Sequence, residues 1–566
     1  MRSFKDKAYS VILVLVLSSF TGLFFVNCSG EGFDAFEEKI MAGADPLVPL
    51  AWYLLNTGQG TFSKNVGTPG NDLKLSRTWD AGIQGRGVTV LVSDDGIEHQ
   101  HEDLNANMKA GNVHLNFSSG GAFSRSASAP PLKSDSNHGT NVAGLIAAVR
   151  NNGVGISGVA PLANIVSSNF LSNGLTEFSM AAQVAENVDI VNMSWGSKQT
   201  ELSLEVPLFL LEMRNGAFSG RNGLGRIYVK SSGNEFKVKC PSGASENCLG
   251  NANFDVDNST PFTIVVAALQ ARPIAASYSS PGSNIWVSAL GGENNENYPT
   301  IVTTDRTGCK VGTTYANSQS SRAFERGGEG NTDCKYTTLF TGTSAAAPLV
   351  SGVVALMLET NPTLTWREVK YILATTATKV HENIGNLSHP LNMGSPPGHV
   401  YEQGWVRNKA GYEFHNWYGF GRVNADAAIE MAKNFSNRFG LLRSASASSN
   451  IPTPIEIQDF SAVGATNSIH IADNLLTEAV QISVTIAHPF LGNLGIELTS
   501  PQGTKSIIWN VNNGLKGAQN LANRQFLSNA FYGERTQGNW TLKVIDGAMG
   551  NVGTLNSWSI NITGRD

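Results

Sequence analysis

The chain has 566 residues, which at roughly 150 residues per domain predicts two to four domains. Hydrophobic residues make up 41%, enough for a sizeable core, while charged residues are only 15% against about 25% in an average soluble domain. Lys and Arg number 40 against 45 Asp and Glu, a net charge of −5. Without a basic surplus to neutralise phosphates, dedicated nucleic-acid binding is excluded, and a mean hydropathy of −0.11 excludes a polytopic membrane protein.

Arg2, Lys5 and Lys7 precede an uncharged apolar stretch over residues 8–26, which reads as a secretory signal within residues 1–28. The alternative is a single membrane anchor, because the stretch approaches the length that spans a bilayer. Cys28 stands where a bacterial lipoprotein signal would be cleaved and acylated, but Asn27 replaces the usual small residue. Lipidated and unlipidated forms both stay open, and a lipid at Cys28 is the one membrane contact expected. The other cysteines are Cys240, Cys248, Cys309 and Cys334. In an exported chain an even set suggests two disulfides, most simply 240–248 and 309–334, with free thiols as the alternative.

Apolar runs at 88–93, 189–194, 226–230 and 263–269 are buried-strand signals. Val142, Leu145, Ile146 and Val149 recur at helical spacing, as do Val350, Val353, Val354 and Met357. Strands alternating with helices predict a doubly wound, mostly parallel α/β domain over residues 45–440. The Ser/Ala/Pro-rich segment 441–453 reads as a linker. Beyond it Val480, Ile482, Val484 and Ile486 alternate with polar residues, as do Trp540, Leu542 and Val544, and residues 501–503 read as a turn. Residues 454–566 are therefore expected to form an all-β sandwich. No internal repeat is visible.

Three patches lie where strands meet loops or helices: Val-Leu-Val-Ser-Asp94-Asp95-Gly, Asn-His138-Gly-Thr and Gly-Thr-Ser344-Ala-Ala-Ala-Pro. Singly, Asp94 could close a turn and His138 or Ser344 could cap a helix. Together they suit nucleophilic catalysis. A serine hydroxyl attacks once an imidazole accepts its proton, and a carboxylate fixes the imidazole tautomer. Strand ends of an open α/β sheet bring such groups to one edge. Asn234, in Lys-Ser-Ser-Gly-Asn-Glu, could donate to a developing oxyanion beside the Ser344 backbone N–H.

In these patches the chain resembles the subtilisin-like serine proteases (peptidase S8 type), whose Asp, His, Ser order it shares. More narrowly it is similar to the kexin/furin-like proprotein convertases with a C-terminal P domain. Asp94-Asp95-Gly96-Ile97-Glu98 with Asp103-Leu104, Ser194-Trp195-Gly196, Ile301-Val302-Thr303-Thr304-Asp305, the Thr341–Pro348 motif and the closing 553–558 segment carry that likeness over roughly residues 45–566. The resemblance implies an exported endopeptidase working through an acyl-enzyme. It implies a substrate strand paired with Ser194-Trp195-Gly196, Trp195 serving as a substrate contact rather than a core aromatic. It also implies calcium, held by Asp45, Asp103 and Asn152 with backbone carbonyls of Val149, Val154 and Ile156.

Several positions depart from the family. Convertases read paired basic residues through acidic pockets, and Asp95 keeps one such position. Ungapped counting puts Gln199, beside Lys198, where the primary pocket acid belongs. Glu205 fits a more distant acidic position, Asp255 aligns only across a variable loop, and Ser280 replaces a Glu that supports a second calcium. A weakened or altered basic preference is expected. Glu98-His99-Gln100-His101-Glu102 reads as a polar surface loop rather than a transition-metal cluster, and His389, His399 and His415 lack ligand spacing. Between Cys28 and Asp45 there is no room for the family's propeptide, so folding is expected either to use a separate chaperone protein or to proceed unaided. Two other readings are an idle surface protein binding partners through its β domain and an α/β-hydrolase; the latter lacks Gly-x-Ser-x-Gly around Ser344.

Overall fold

The computed structural model describes residues 45–566 except 119, 174, 240–246, 294–295, 314–321, 387–394, 437–438 and 516. Cys28, Cys240 and the whole leader lie outside the described residues, and so does His389.

The first domain is built on an eight-stranded sheet in the order β8-β7-β6-β5-β1-β4-β2-β3. The strands are β1 (Thr89–Ser93), β2 (His114–Phe117), β3 (Phe123–Ser126), β4 (Asn164–Ser168), β5 (Ile190–Met193), β6 (Ile227–Ser231), β7 (Thr263–Leu269) and β8 (Val287–Leu290). All pairings are parallel except β2–β3. β1, β5, β6 and β7 are buried at every position, which is why they read as largely apolar runs without alternation. A hairpin of β9 (Ile301–Thr304) and β10 (Tyr336–Phe340) stands apart from the sheet, and the Cys309–Cys334 disulfide closes the loop between them.

Among the helices are α1 (Ser76–Asp80), α2 (His138–Ala147), α3 (Glu177–Ala185), α4 (Pro207–Ser219), α5 (Thr343–Thr360), α6 (Trp366–Thr376) and α7 (Ala425–Lys433). Helix α5 is apolar all round and buried through most of its length, as a central helix must be. α6 opens on a capping box, with Thr365 and Glu368 each accepting from the other's backbone N–H.

The second domain is a sandwich of two antiparallel sheets. One runs β11 (Arg443–Ser448), β19 (Gly553–Arg565), β14 (Leu476–Ala487), β17 (Leu521–Ser528), with β12 (Ile455–Ile457) also on β19. The other runs β13 (Ser461–Ile471), β18 (Gly538–Asp546), β15 (Leu494–Thr499), β16 (Lys505–Trp509). The alternating residues of β14 and β18 turn Val480, Ile482, Val484, Ile486, Trp540, Leu542 and Val544 into the core. Residues 501–503 make the expected turn between β15 and β16.

The segment read as a linker is corrected by β11, which pairs with β19 from Arg443↔Gly564 to Ser448↔Ser559. Its alternation is Ser/Ala, and Ala445 buries too little surface to announce a strand by hydrophobicity. The domains are joined closely. Asn253 Nδ2 donates to Leu527 O (3.2 Å), the Asn529 N–H donates to Ser283 O (2.9 Å), and Phe254 meets Trp509 edge-on at 5.3 Å. Arg367 of α6 is bidentate to Glu478 of β14, with Nε–Oε2 at 2.8 Å.

Candidate active site

Asp94 follows directly on β1 and is fully buried. His138 begins α2, and its Nδ1 lies 2.9 Å from both carboxylate oxygens of Asp94. The His138 ring also packs edge-on against Phe340 at 5.4 Å. Burial works against a charged imidazole, but the charge and hydrogen bond of Asp94, with Asp95 behind it, outweigh that and raise His138 to about 9. Asp95 accepts from the His138 N–H (3.2 Å) and the Gly139 N–H (2.8 Å), so its carboxylate sits on the first turn of α2. Burial and neighbouring Asp94 push Asp95 up to about 6. Behind α2, Thr303 and Thr304 of β9 donate to the carbonyls of Asn141 and Thr140, fixing the helix in place.

Ser344 lies in the first turn of α5. Its Oγ donates to Ser194 O at 3.0 Å, so in this conformation the proton faces a carbonyl rather than the expected imidazole. Unliganded sites commonly hold such bonds loosely, and a turn about the Cα–Cβ bond redirects the hydroxyl. Ser194 lines the same open cleft, of about 380 Å³, as Asp94, Asp95 and His138. Asn234 is exposed, and its Oδ1 accepts from the Thr343 N–H (2.8 Å) and hydroxyl (2.9 Å), which leaves Nδ2 for a ligand. Gly342, at φ +109°, must be glycine: a Cβ there would stand 3.2 Å from Asn234 Nδ2.

Comparison with known proteins matches both domains. Residues 85–421 match the subtilase family, and residues 477–562 match the proprotein convertase P-domain. The chain belongs to the subtilase family. It is a serine endopeptidase, which sets aside the idle-binder and α/β-hydrolase readings. The extracellular serine protease of Aeromonas sobria is 32% identical over 94% of this chain and 92% of its own. Neuroendocrine convertase 2 of Bos taurus is 29% identical over 95% of this chain and 77% of its own. The crystal structure of the Aeromonas sobria serine protease with a chaperone superposes with a TM-score of 0.83, at 32% identity, covering 93% of this chain and 96% of that one.

In this subtilase the backbone of Ser194-Trp195-Gly196 leaves the end of β5 toward the cleft. The Trp195 side chain is half-buried: its Nε1 donates to Ser93 Oγ (3.2 Å) and its ring packs on Phe170 (5.3 Å) and Phe209 (6.1 Å). The expected pocket acids scatter. Asp255 is fully buried and paired with Lys230 at 2.9 Å, Glu205 is exposed on the loop before α4, and Gln199 is buried against Gly233. Ser280 Oγ accepts from the Glu235 N–H (3.0 Å). Lys230 went unnoticed in the sequence, although a lone cation in the otherwise apolar β6 was the available signal.

Asp45, Asp103 and Asn152 meet at the loop after α2. Asp45 accepts from the N–H groups of Asn151 (2.8 Å) and Gly153 (2.9 Å); Asp103 accepts from Asn152 Nδ2 (2.9 Å) and the Ile156 N–H (2.9 Å). The Val154 N–H donates to Asn152 Oδ1 (3.0 Å), and the Val149 N–H to Asp103 O (2.9 Å). Both carboxylates are buried, and burial pushes Asp103 up to about 7, with Asp45 and Glu102 adding to the rise. Two buried carboxylates that meet at one loop are hard oxygen donors of the kind a divalent cation takes, and all four of their oxygens accept N–H groups here.

The Glu98–Glu102 stretch is no surface loop throughout. His101 is fully buried, with Nδ1 accepting from the Asp103 N–H (3.1 Å) and Nε2 at 2.9 Å from Lys335 O. Among the described residues no three His, Cys, Asp or Glu side chains converge as a metal cluster.

Proposed function

We propose that this subtilase cleaves polypeptides through an acyl-enzyme, with Ser344 as nucleophile, His138 as general base and then acid, and Asp94 holding the imidazole. The observation that carries the proposal is the 2.9 Å contact of His138 Nδ1 with both oxygens of buried Asp94. It keeps the Nδ1 proton facing the carboxylate and leaves Nε2 free to accept one.

A substrate strand lies along Ser194-Trp195-Gly196. The Ser344 hydroxyl turns from Ser194 O, gives its proton to His138 and bonds to the scissile carbonyl carbon. Asn234 Nδ2 and the Ser344 N–H receive the oxyanion. The tetrahedral adduct collapses, the C–N bond breaks, and the leaving amine takes the proton from His138. Water then repeats the sequence on the acyl group and frees Ser344.

Export is supported by the apolar leader and by the extracellular Aeromonas sobria relative. A folding chaperone is supported by the structure of that relative's protease with a chaperone. A calcium ion held by Asp45, Asp103 and Asn152 with the carbonyls of Val149, Val154 and Ile156 would cross-link the start of the domain to the loop after α2. Any basic preference rests on Asp95, which lines the cleft, more than on buried Asp255 or exposed Glu205.

A fluorophosphonate tests the catalytic reading. The wild-type chain is expected to be labelled and Ser344→Ala, with an unchanged circular dichroism spectrum, is not. An unlabelled wild type overturns it.

A further inference from the structure

We infer that Lys230 determines primary specificity: by pairing with Asp255 beneath Gly196 it cancels the acidic charge there, so the enzyme selects an uncharged side chain before the scissile bond. The inference rests on the catalytic reading above and begins with where the side chain of that residue must go. β5 and β6 are adjacent and parallel, and their exits, Ser194-Trp195-Gly196 and Ser232-Gly233-Asn234, run on toward the nucleophile. The first exit bonds Ser344 through Ser194; the second bonds Thr343 through Asn234. The gap between them is therefore the space next to the reacting bond.

Both exits present glycine to what lies beneath. A Cβ on Gly196 would stand 2.7 Å from Asp255 Oδ2 and 3.0 Å from Lys230 Nζ. A Cβ on Gly233 would collide with the Gln199 side chain amide. Beneath the two glycines thus lie one neutral amide and one ion pair. Lys230 and Asp255 are both fully buried, 2.9 Å apart. Asp255 is further engaged by the Ser197 N–H at Oδ2 (3.0 Å) and the Asp257 N–H at Oδ1 (3.3 Å). The Lys230 ammonium also lies 5.3 Å from the Trp195 ring centroid.

The next charges out are Asp257 and Arg524, with Glu205 beyond Arg524. Buried Asp257 faces Lys230 and Arg524 as well as Asp255. Arg524 Nη2 in turn donates to Phe254 O (3.3 Å). An incoming arginine or lysine would meet an ammonium at close range and find its carboxylate taken. Breaking a buried pair to serve it leaves a cation unpaired, a heavy penalty at low dielectric.

The test is a library of quenched-fluorescent peptides that differ only in the residue before the cleaved bond. It is read as kcat/KM on the full chain beside fluorophosphonate labelling of Ser344. The wild type is expected to cleave after Leu or Gln at least ~10-fold better than after Arg or Lys. Lys230→Met should raise the Arg:Gln ratio by ~100-fold, because Asp255 is then free to bind a cation. Asp255→Asn should instead favour Glu, and the double variant Lys230→Met/Asp255→Asn should return to the uncharged preference. A wild type that favours Arg or Lys overturns the inference, whether or not the buried variants fold. So does a ratio unmoved in labelled Lys230→Met. An unlabelled wild type is a different failure, that of the catalytic reading itself.

Discussion

Ser344 and Ser194 exchange hydrogen bonds, each Oγ donating to the other's carbonyl oxygen at 3.0 Å. The exchange ties the first turn of α5 to the exit of β5 and stores the nucleophile's proton away from His138. Ser194 Oγ also accepts from Asn192 Nδ2 at 3.0 Å. Ser194→Ala removes one donor and one acceptor from a buried network. It should lower stability by about 1–3 kcal/mol, read from the urea midpoint; an unmoved midpoint contradicts the arrangement.

Asn234 is held by Thr343 through its oxygen, so its amide N–H groups are the part offered to substrate. Asn234→Ala should lower kcat by about 10²–10³, the loss that removing such a donor causes in subtilisin itself, with KM little changed. Steady-state kinetics on one peptide decide it. A rise in KM at constant kcat would mean ground-state binding instead.

The proposed mechanism requires neutral His138, whose raised value is about 9. kcat/KM should therefore climb with pH toward about 9, and Asp94→Asn should move the inflection down while cutting kcat by about 10⁴. Stability should run the other way. Because the folded value lies above the unfolded one, the contribution of His138 is full below its ordinary value near 6.5 and is lost as pH rises through about 9. Melting curves across that window, compared with Asp94→Asn, check the sign.

Calcium should raise the melting temperature of the wild type, and EDTA should lower it, because the proposed ion would join Asp45 to Asp103 across the loop after α2. By mass action the gain is about 2.7 kcal/mol at a hundredfold excess over Kd. Asp103→Asn removes a charged ligand and should abolish most of the calcium response. Equal responses in both chains would refute this ligand set.

Glu478 receives Arg367 from the first domain and Arg565 Nη1 (2.9 Å) from its own. Glu478→Ala would leave two guanidinium groups facing a buried gap, at a cost of about 3–5 kcal/mol. Calorimetry should show a lowered or split transition; an unchanged single peak would mean that the pair does not couple the domains.

The chain itself determined the strand-and-helix alternation and the second β domain, and it pointed to Asp94, His138, Ser344 and Asn234 as the candidate site. Burial on both faces writes a continuous apolar run, and catalytic groups sit in small-residue motifs at element ends, so both signals are local. Local signals failed at 443–448, where alanine carries too little hydrophobic contrast. Tertiary structure alone showed that the Asp255 carboxylate is already paired with Lys230. Lys230 and Asp255 are 25 residues apart, and whether a buried carboxylate attracts a cation depends on what already neutralises it, a property of the packed interior that no spacing in the chain records.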